Sequence, residues 1–255
     1  MDVVLDMKNV GKSFGGIQAV SDISFTIRER ELAGLIGPNG AGKTTVFNLV
    51  TGVYDVSGGE MIYLGRNINS LRTYEVVAKG IARTFQNLRL FASSTVLENV
   101  MTATQQHHKY SFLEAVSHFG RWRGEERAIR AESMELLERV GLAERAGQAA
   151  GTLPYGLQRR LEIARALALR PKLLLLDEPA AGMNPEEVYA LNELIAHIHG
   201  DFKLTILLIE HHMDMVMEIC PHIICMNFGA KIAEGTPDEI RTHPEVLKAY
   251  LGEEE

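Results

Sequence analysis

Short apolar runs alternate with helix-like stretches over the second half of the chain. Residues 173–176 and 205–209 are largely apolar runs of the kind that form strands buried on both faces of a parallel sheet. A third such strand is predicted at 222–226, and helices are predicted near 157–169, 186–199 and 212–219. This alternation of strand and helix predicts an α/β protein with a parallel sheet.

The first half of the chain has a different pattern. Residues 3–10 and 23–27 have the alternating character of strands, and 60–64 continues this β-rich part. From about residue 74 to 140 the pattern becomes mostly helical. We therefore predict a single domain over residues 1–255. Its core comprises 1–85 and 160–236, with a mostly helical subdomain at 86–159 and a short helical tail at 237–255.

Composition narrows the class of protein. A chain of 255 residues with 46% hydrophobic content can bury a substantial core. Its formal net charge of −7 argues against a nucleic-acid partner. No apolar stretch approaches the roughly 18 residues that span a bilayer, and no signal-peptide pattern opens the chain. We expect a cytoplasmic protein in which Cys220 and Cys225 are buried, reduced thiols.

The segment GPNGAGKTT carries the clearest chemical signal. It matches the phosphate-binding pattern G-x-x-x-x-G-K-[ST] and lies between an apolar run and a helix-like stretch. The glycines allow backbone N–H groups to point at a phosphate, the lysine adds a positive charge, and the threonine hydroxyl can ligate Mg²⁺. The predicted nucleotide-binding residues here are Gly37, Pro38, Asn39, Gly40, Ala41, Gly42, Lys43, Thr44 and Thr45. The alternative is a glycine-rich turn that binds nothing.

Two later strands end in residues that suit phosphate chemistry. The run 173–176 leads into Asp177 and Glu178, where the first carboxylate can reach a Mg²⁺ ion and the second can polarise a water. The run 205–209 leads into Glu210 and His211. Because the carboxyl ends of the strands face the ligand crevice of an open α/β sheet, His211 is predicted to face the ligand.

Four ordered segments together resemble one family. GPNGAGKTT, LPYGLQRRLEIARAL, LLLLDEPAAGMNP and LLIEHH are similar to the Walker A, signature, Walker B with D-loop, and switch-histidine segments of ABC-type ATPases. The resemblance covers essentially the whole chain. It implies a P-loop NTPase of the ABC ATPase type, with a mixed sheet, a β-rich N-terminal part and a helical subdomain. It also implies hydrolysis of ATP with Mg²⁺ in a head-to-tail dimer with a second ATPase subunit, either identical or a paralogue.

Finer segments resemble one branch of that family. FGGIQAVSDISF, ARTFQNLRLFASSTVLENV and EVLKAYLG are similar to the ATP-binding subunits of bacterial branched-chain amino-acid importers. The implied partners are transmembrane permease subunits and, indirectly, a periplasmic solute-binding protein, which would place the chain on the cytoplasmic face of the inner membrane. The alternatives are a related urea or amide importer, a lipopolysaccharide exporter and a soluble ABC ATPase that does not transport.

The family motifs assign further roles by position. Phe14 matches the aromatic residue that stacks on adenine, and Gln86 matches the glutamine that ligates Mg²⁺ and senses the γ-phosphate. Thr44 and Asp177 match the other Mg²⁺ ligands. Glu178, His211 and Gln86 are the predicted catalytic residues. The signature segment and D-loop add nucleotide contacts from the opposing subunit, at Leu153, Pro154, Tyr155, Gly156, Leu157, Gln158 and Asn184.

Two positions depart from the common family pattern. Pro154 stands where most signatures have a serine, and it offers neither a hydroxyl nor an N–H to a phosphate. Asn184 stands where many D-loops carry aspartate, and its amide can donate a hydrogen bond but brings no negative charge. The proline keeps open a third class of function, a nucleotide-binding module without turnover. Intact Glu178 favours an ATPase.

A short run after Gln86 is a candidate contact with the membrane partner. Leu88, Arg89, Leu90 and Phe91 combine apolar and basic side chains in an otherwise charged region. Their position predicts a docking site for a permease helix that responds to the state of the nucleotide. The alternative is that these side chains close the core beneath the helical subdomain.

Overall fold

The computed structural model describes residues 2–108, 122–211 and 213–251. The chain forms two compact units, Met1–Arg83 with Lys172–Glu255, and Thr84–Pro171. The predicted core resumed at residue 160, whereas the second unit extends to residue 171. The difference arises because the helix Tyr155–Ala168 packs on its neighbours within the second unit.

Ten strands and nine α-helices are formed by the described residues. The strands are β1 (Val3–Phe14), β2 (Ile17–Arg28), β3 (Leu32–Ile36), β4 (Gly58–Tyr63), β5 (Arg66–Asn67), β6 (Ile81–Arg83), β7 (Leu173–Asp177), β8 (Thr205–Ile209), β9 (His222–Asn227) and β10 (Ala230–Gly235). The helices are α1 (Lys43–Val50), α2 (Thr73–Ala78), α3 (Val96–Thr104), α4 (Trp122–Arg139), α5 (Tyr155–Ala168), α6 (Pro185–Phe202), α7 (Met213–Ile219), α8 (Pro237–Thr242) and α9 (Pro244–Leu251). Within the described ranges, no helix combines the length and apolar character needed to cross a membrane.

The first unit contains a four-stranded antiparallel sheet in the order β2-β1-β4-β5. Ile23, Phe25 and Ile27 of β2 are buried while the residues between them are partly exposed, as expected for a sheet with one face on the core. The strands β1 and β2 extend beyond the predicted segments 3–10 and 23–27, and a two-residue turn joins them.

A six-stranded sheet in the order β10-β9-β3-β8-β7-β6 forms the centre of the first unit. All neighbours are parallel except β10, which pairs antiparallel with β9. Every residue of β3, β7 and β8 is buried, which explains their nearly continuous apolar sequences. Because these strands are parallel, the loops that follow them meet at one edge of the sheet. The predicted mixed α/β sheet is confirmed.

The edge strand β6 lies inside the region predicted as mostly helical from residue 74 to 140. That prediction was wrong over residues 81–83, where Ile81 and Ala82 pair with Leu173 and Leu174 of β7. A three-residue strand is too short to show a period of its own, and it forms only because β7 presents a free edge.

The second unit is helical. Helices α3, α4 and α5 pack together through buried side chains such as Val100, Leu137 and Leu161. Thr95 caps α3 by accepting a hydrogen bond from the Glu98 N–H, and the Glu98 carboxylate accepts one from the Thr95 N–H. The helical pattern predicted for this region is therefore present in the part of the chain that the structure describes.

Candidate functional site

The phosphate-binding segment follows β3 and leads directly into α1, which begins at Lys43. Gly37 has a φ of +146°, and a Cβ there would lie 2.1 Å from the carbonyl oxygen of Met226. Only glycine fits this close approach of two backbones. The predicted strand, loop and helix context of the motif is therefore present.

Lys43 is folded back onto its own loop. Its Nζ donates hydrogen bonds to the carbonyl oxygens of Gly37 at 2.5 Å and Pro38 at 2.9 Å, and the residue is 4% exposed. Carbonyl oxygens carry only partial negative charge, so a phosphate is a stronger partner for the ammonium group. A bound phosphate can replace these contacts without unfolding anything.

An open cleft of about 440 Å³ lies over the loop. It is lined by Ile17, Gln18, Ala19, Asn39, Gly40, Ala41, Gly42, Lys43, Thr44, Thr45, Glu178, His211, Phe228 and Gly229. The structure thus brings the predicted loop together with two of the three predicted catalytic residues. Four of the lining side chains, Ile17, Gln18, Ala19 and Phe228, were not singled out from the sequence.

Glu178 and His211 form a pair within this cleft. The Glu178 Oε1 lies 2.6 Å from the His211 Nε2. An ionised carboxylate only accepts hydrogen bonds, so the Nε2 carries the proton and donates it. The backbone of Glu178 adopts a φ of +46°, a left-handed conformation that is uncommon for a residue with a side chain. The turn after β7 thereby directs this carboxylate to the histidine that follows β8.

Glu210 fixes both of these loops, a role that its sequence position does not reveal. Its buried carboxylate accepts hydrogen bonds from the N–H of Ala180 at 2.7 Å and the N–H of His211 at 3.0 Å. One carboxylate therefore holds the loop after β7 and the loop after β8 in a fixed relation. Only the tertiary approach of residues 180 and 210 creates this arrangement.

Asp177 ends β7 as a buried carboxylate paired with an arginine. The Arg83 Nη2 lies 2.6 Å from the Asp177 Oδ2, and the Arg83 Nη1 donates to the Asn48 Oδ1 at 2.7 Å. The ion pair orients this carboxylate at the sheet edge that carries the cleft. Arg83 is a second residue whose role was not evident from the sequence.

The side chains of Phe14 and Asn184 contact residues of their own subunit. The Phe14 ring packs edge-on against Tyr54 with centroids 5.0 Å apart, and the Lys12 Nζ lies 5.0 Å from the Phe14 centroid. Phe14 is not among the described residues that line the cleft. Asn184 caps α6, because its Oδ1 accepts a hydrogen bond from the Glu187 N–H. Their contacts with nucleotide stay predictions.

In the second unit, the segment after β6 is tied to the signature helix α5 by Arg159. This fully buried guanidinium donates to the carbonyl oxygens of Phe85 at 2.7 Å and Gln86 at 2.9 Å, and pairs with Glu162 at 2.6 Å. Burial raises the pKa of the Glu162 carboxyl, although the charge of Arg159 opposes that rise. Gln86 itself is exposed.

The signature segment forms the start of α5. The helix begins at Tyr155 with Pro154 as its N-cap, and no side chain caps it. The Gln158 Nε2 donates to the Leu153 carbonyl at 2.8 Å, which closes the first turn. Tyr155, Gly156 and Leu157 are at least partly accessible there. Whether these residues and Gln86 contact nucleotide stays a prediction.

Comparison with known proteins decides the family. The ABC transporter family model matches residues 20–181, and a model for branched-chain amino acid ATP-binding cassette transporters matches residues 230–255. This chain belongs to the ABC transporter family. Its predicted fold class, a P-loop NTPase of the ABC ATPase type, is thereby confirmed, and so is its similarity to the importer branch.

Several relatives of this ABC protein match over nearly the full length. The high-affinity branched-chain amino acid transport ATP-binding protein BraF of Pseudomonas aeruginosa is 46% identical over 98% of both chains. LivG of Salmonella typhimurium, with the same description, is 46% identical over 94% of both. The lipopolysaccharide export system ATP-binding protein LptB of Escherichia coli is 34% identical over 98% of both.

A solved structure supports the same assignment. The ADP conformation of an ATP-binding cassette of an ABC transporter superposes with a TM-score of 0.85 and 29% sequence identity, covering 99% of this chain and 100% of that chain. Membership of the ABC ATPase family implies that this protein binds ATP.

Proposed function

We propose that this ABC protein is the ATP-hydrolysing subunit of a membrane importer for branched-chain amino acids. The observation that carries the proposal is the Glu178–His211 pair, 2.6 Å apart, in the same cleft as Lys43 and the phosphate loop. The substrate class rests on the 46% identity to BraF and LivG.

Binding begins at the phosphate loop. The Lys43 Nζ leaves the carbonyl oxygens of Gly37 and Pro38 and pairs with phosphate oxygens, while the backbone N–H groups at the start of α1 point at the same anion. Negative charge that develops on the γ-phosphate during transfer is neutralised by these preorganised donors.

Glu178 then activates the attacking water, and His211 orients Glu178. The Glu178 carboxylate accepts a proton from water and increases its nucleophilicity. The His211 Nε2–H orients that carboxylate in the resting protein and lies where it can donate to the γ-phosphate once ATP is bound. Glu210 keeps the two loops in register throughout, because its contacts are to backbone N–H groups.

The residues present suit a magnesium ion. Thr44 presents an exposed hydroxyl in the cleft and Asp177 supplies a buried carboxylate, while the family pattern predicts the Gln86 amide oxygen as a further ligand. An all-oxygen donor set of this kind is the one Mg²⁺ prefers. Bound there with the phosphates, the ion would neutralise charge on the β- and γ-phosphate oxygens.

A second ATPase subunit completes the site. In a head-to-tail dimer, residues 153–158 and Asn184 of one copy lie against the nucleotide that the other copy holds. Pro154 removes the hydroxyl contact, so Gly156 and the uncapped N-terminus of α5 supply the dipoles for the opposing γ-phosphate. We propose such a dimer, homomeric or with a paralogue, on the cytoplasmic face of the inner membrane.

The permease contact is proposed at residues 88–91. Phe91 is 50% exposed, and the Arg165 guanidinium carbon lies 5.1 Å from its ring centroid. Arg165 also donates to the Arg89 carbonyl, so the loop is braced from α5 while the ring stays accessible. An accessible aromatic side chain with a braced backbone suits docking of a short permease helix. The periplasmic solute-binding protein acts only through that permease.

The test combines gene deletion with one loop variant. We expect deletion of the gene to abolish uptake of leucine, isoleucine and valine in its own cells, and the wild-type gene to restore it. A Phe91→Ser variant should bind ATP normally but lose both uptake and co-purification with permease subunits. The matched control is Phe202→Ser, since Phe202 is 38% exposed at the end of α6 in the other unit.

Each alternative has a distinct outcome. Loss of urea or amide uptake with normal branched-chain uptake identifies a related importer, and loss of lipopolysaccharide export identifies an exporter. Normal transport of all these solutes indicates a soluble ABC ATPase. ATP binding without turnover in the purified, permease-bound protein indicates a nucleotide-binding module, for which Pro154 is the reason.

A further inference from the structure

Two hairpins contribute side chains to the nucleotide cleft through similar turns. The turn between β1 and β2 is Gly15–Gly16, with φ values of +52° and +89°. The turn between β9 and β10 is Phe228–Gly229, with φ values of +45° and +82°. Positive φ at both central residues is the type I′ turn of two-residue hairpins, which favours Asn-Gly or Gly-Gly.

Phenylalanine is a poor choice for its position in this turn. Its Cβ crowds the backbone in the left-handed conformation, whereas glycine has no such clash and asparagine tolerates it. Gly229 has a clear structural reason, because a Cβ there would lie 2.9 Å from the Ala19 carbonyl oxygen. The turn geometry explains Gly229 but not Phe228.

Packing does not explain Phe228 either. Its side chain is 89% exposed, so it contributes almost nothing to the core. A single exposed apolar side chain is ordinary on a protein surface. This one, however, lies on the wall of the nucleotide cleft together with Ile17, which is 75% exposed. The cleft therefore has two bare apolar side chains in addition to its phosphate-binding groups.

We propose that Phe228 and Ile17 contact the nucleoside part of the bound nucleotide. The phosphates are held by Lys43 and the loop, so apolar side chains in the same cleft suit the other end of the ligand. An aromatic ring provides a flat face for a base or ribose. These two side chains would act in addition to the predicted adenine contact Phe14, which is 41% exposed and packs edge-on against Tyr54.

The proposal predicts opposite effects of one substitution on stability and binding. Phe228→Asn should raise the melting temperature by about 2 °C, because asparagine suits the turn. The same change should weaken ATP binding by about five- to twentyfold, in line with loss of one stacking contact. Tripolyphosphate, which lacks the nucleoside, should bind the variant and the wild type equally well. Phe202→Asn, on the far end of α6, serves as the control and should leave ATP affinity unchanged.

A second variant reads out the contact directly. The chain has one tryptophan, so Phe228→Trp in a Trp122→Phe background carries a single fluorophore at the turn. Its emission should change when ATP is added and should not change with tripolyphosphate. Because this variant keeps an aromatic ring, it should retain ATP affinity.

Three results would overturn the proposal. ATP affinity unchanged in Phe228→Asn removes the contact altogether. Equal weakening of ATP and tripolyphosphate means that the turn shapes the loop instead of touching the nucleoside. Unchanged affinity in the monomer with loss of ATP-dependent dimerisation means that Phe228 contacts a second copy of the chain. Loss of all nucleotide binding by the wild type would instead contradict the family function.

Discussion

A cluster of charged side chains lies at each end of the six-stranded sheet, and the two clusters differ in whether they are open to a ligand. At the carboxyl ends of the parallel strands, Lys43, Glu178 and His211 border an open cleft. At the other end, Glu31 lies before β3, His222 begins β9, and Glu234 belongs to β10. The first cluster is exposed to a ligand, whereas the second is closed on itself.

In the closed cluster, both ring nitrogens of His222 pair with carboxylates of the same cluster. The His222 Nδ1 lies 2.5 Å from the Glu31 Oε1, and the His222 Nε2 lies 3.1 Å from the Glu234 Oε1. Both ring nitrogens face carboxylates, which requires the doubly protonated imidazolium. Hydrogen bonds to Glu234 and Glu31 raise the pKa of His222 to about 9.

The two carboxylates respond in the opposite direction. The hydrogen bond from His222 lowers the pKa of Glu234, and Lys231 adds to that effect. Burial alone would raise the pKa of Glu31, but the hydrogen bond from His222 and the Arg28 N–H hold it below its usual value. The comparison indicates that the closed cluster stabilises the fold. In the cleft cluster, by contrast, a bound phosphate can replace the contacts that Lys43 makes with carbonyl oxygens.

The largest effect is expected at Glu178. Glu178→Gln removes the base but keeps the shape of the side chain and a partner for the His211 Nε2. ATP turnover should fall by about two to four orders of magnitude with ATP affinity nearly intact. Steady-state hydrolysis and equilibrium binding measure the two quantities. Turnover within a few-fold of wild type would remove Glu178 from the mechanism.

Lys43→Ala should affect binding itself. Loss of the ammonium group leaves phosphate charge without its strongest partner, so affinity for a fluorescent ATP analogue should fall about 30-fold or more. Unchanged affinity in that titration would show that the loop is not the phosphate site.

A smaller effect is expected at Glu210, which acts by positioning. Glu210→Gln replaces one accepting oxygen with an amide donor, which faces the N–H of either Ala180 or His211. Turnover should fall about tenfold with little change in KM, since the reacting groups shift while binding remains. Glu218→Gln is the matched control, because Glu218 lies on α7 and pairs with Asn192. A fall in turnover no larger than that of the control would exclude the positioning role.

The smallest effect concerns the closed cluster and pH. His222 has a folded pKa of about 9, above its unfolded value of about 6.5, so its contribution is full below pH 6.5 and is lost as pH rises to about 9. The melting temperature should therefore fall by a few degrees between pH 6.5 and 9.5, and this slope should be reduced in His222→Gln. An equal slope in both proteins would assign the pH dependence to other groups.

The sequence predicted those parts of the fold and site that depend on local pattern. The strand β8 has the predicted bounds because a buried apolar run ends in a charged residue, and the phosphate loop is defined by spacing alone. The three-residue strand β6 escaped prediction since its pairing partner lies about 90 residues away. The same holds for Glu210 and Arg83, whose partners are brought together only by the sheet.

Phe228 is an intermediate case. The Phe-Gly dipeptide between two apolar strands signals a hairpin turn, and a bulky residue at its first position could have been noticed from sequence. Its place on the cleft wall could not, because that depends on the packing of the turn against Ala19.

The central claim is that charge serves ligand binding at one end of the sheet and stability at the other. Thermal unfolding with and without saturating ATP tests it directly, in Lys43→Ala and His222→Gln, each built on Glu178→Gln so that ATP is not consumed. A ligand that binds the folded state raises the melting temperature according to its affinity. We predict that Lys43→Ala has a clearly smaller ATP-induced rise than its parent, with little change in the ligand-free melting temperature. His222→Gln should have a lower ligand-free value and keep the full rise. Loss of the rise in both variants, or equal destabilisation of both without ATP, would contradict the account.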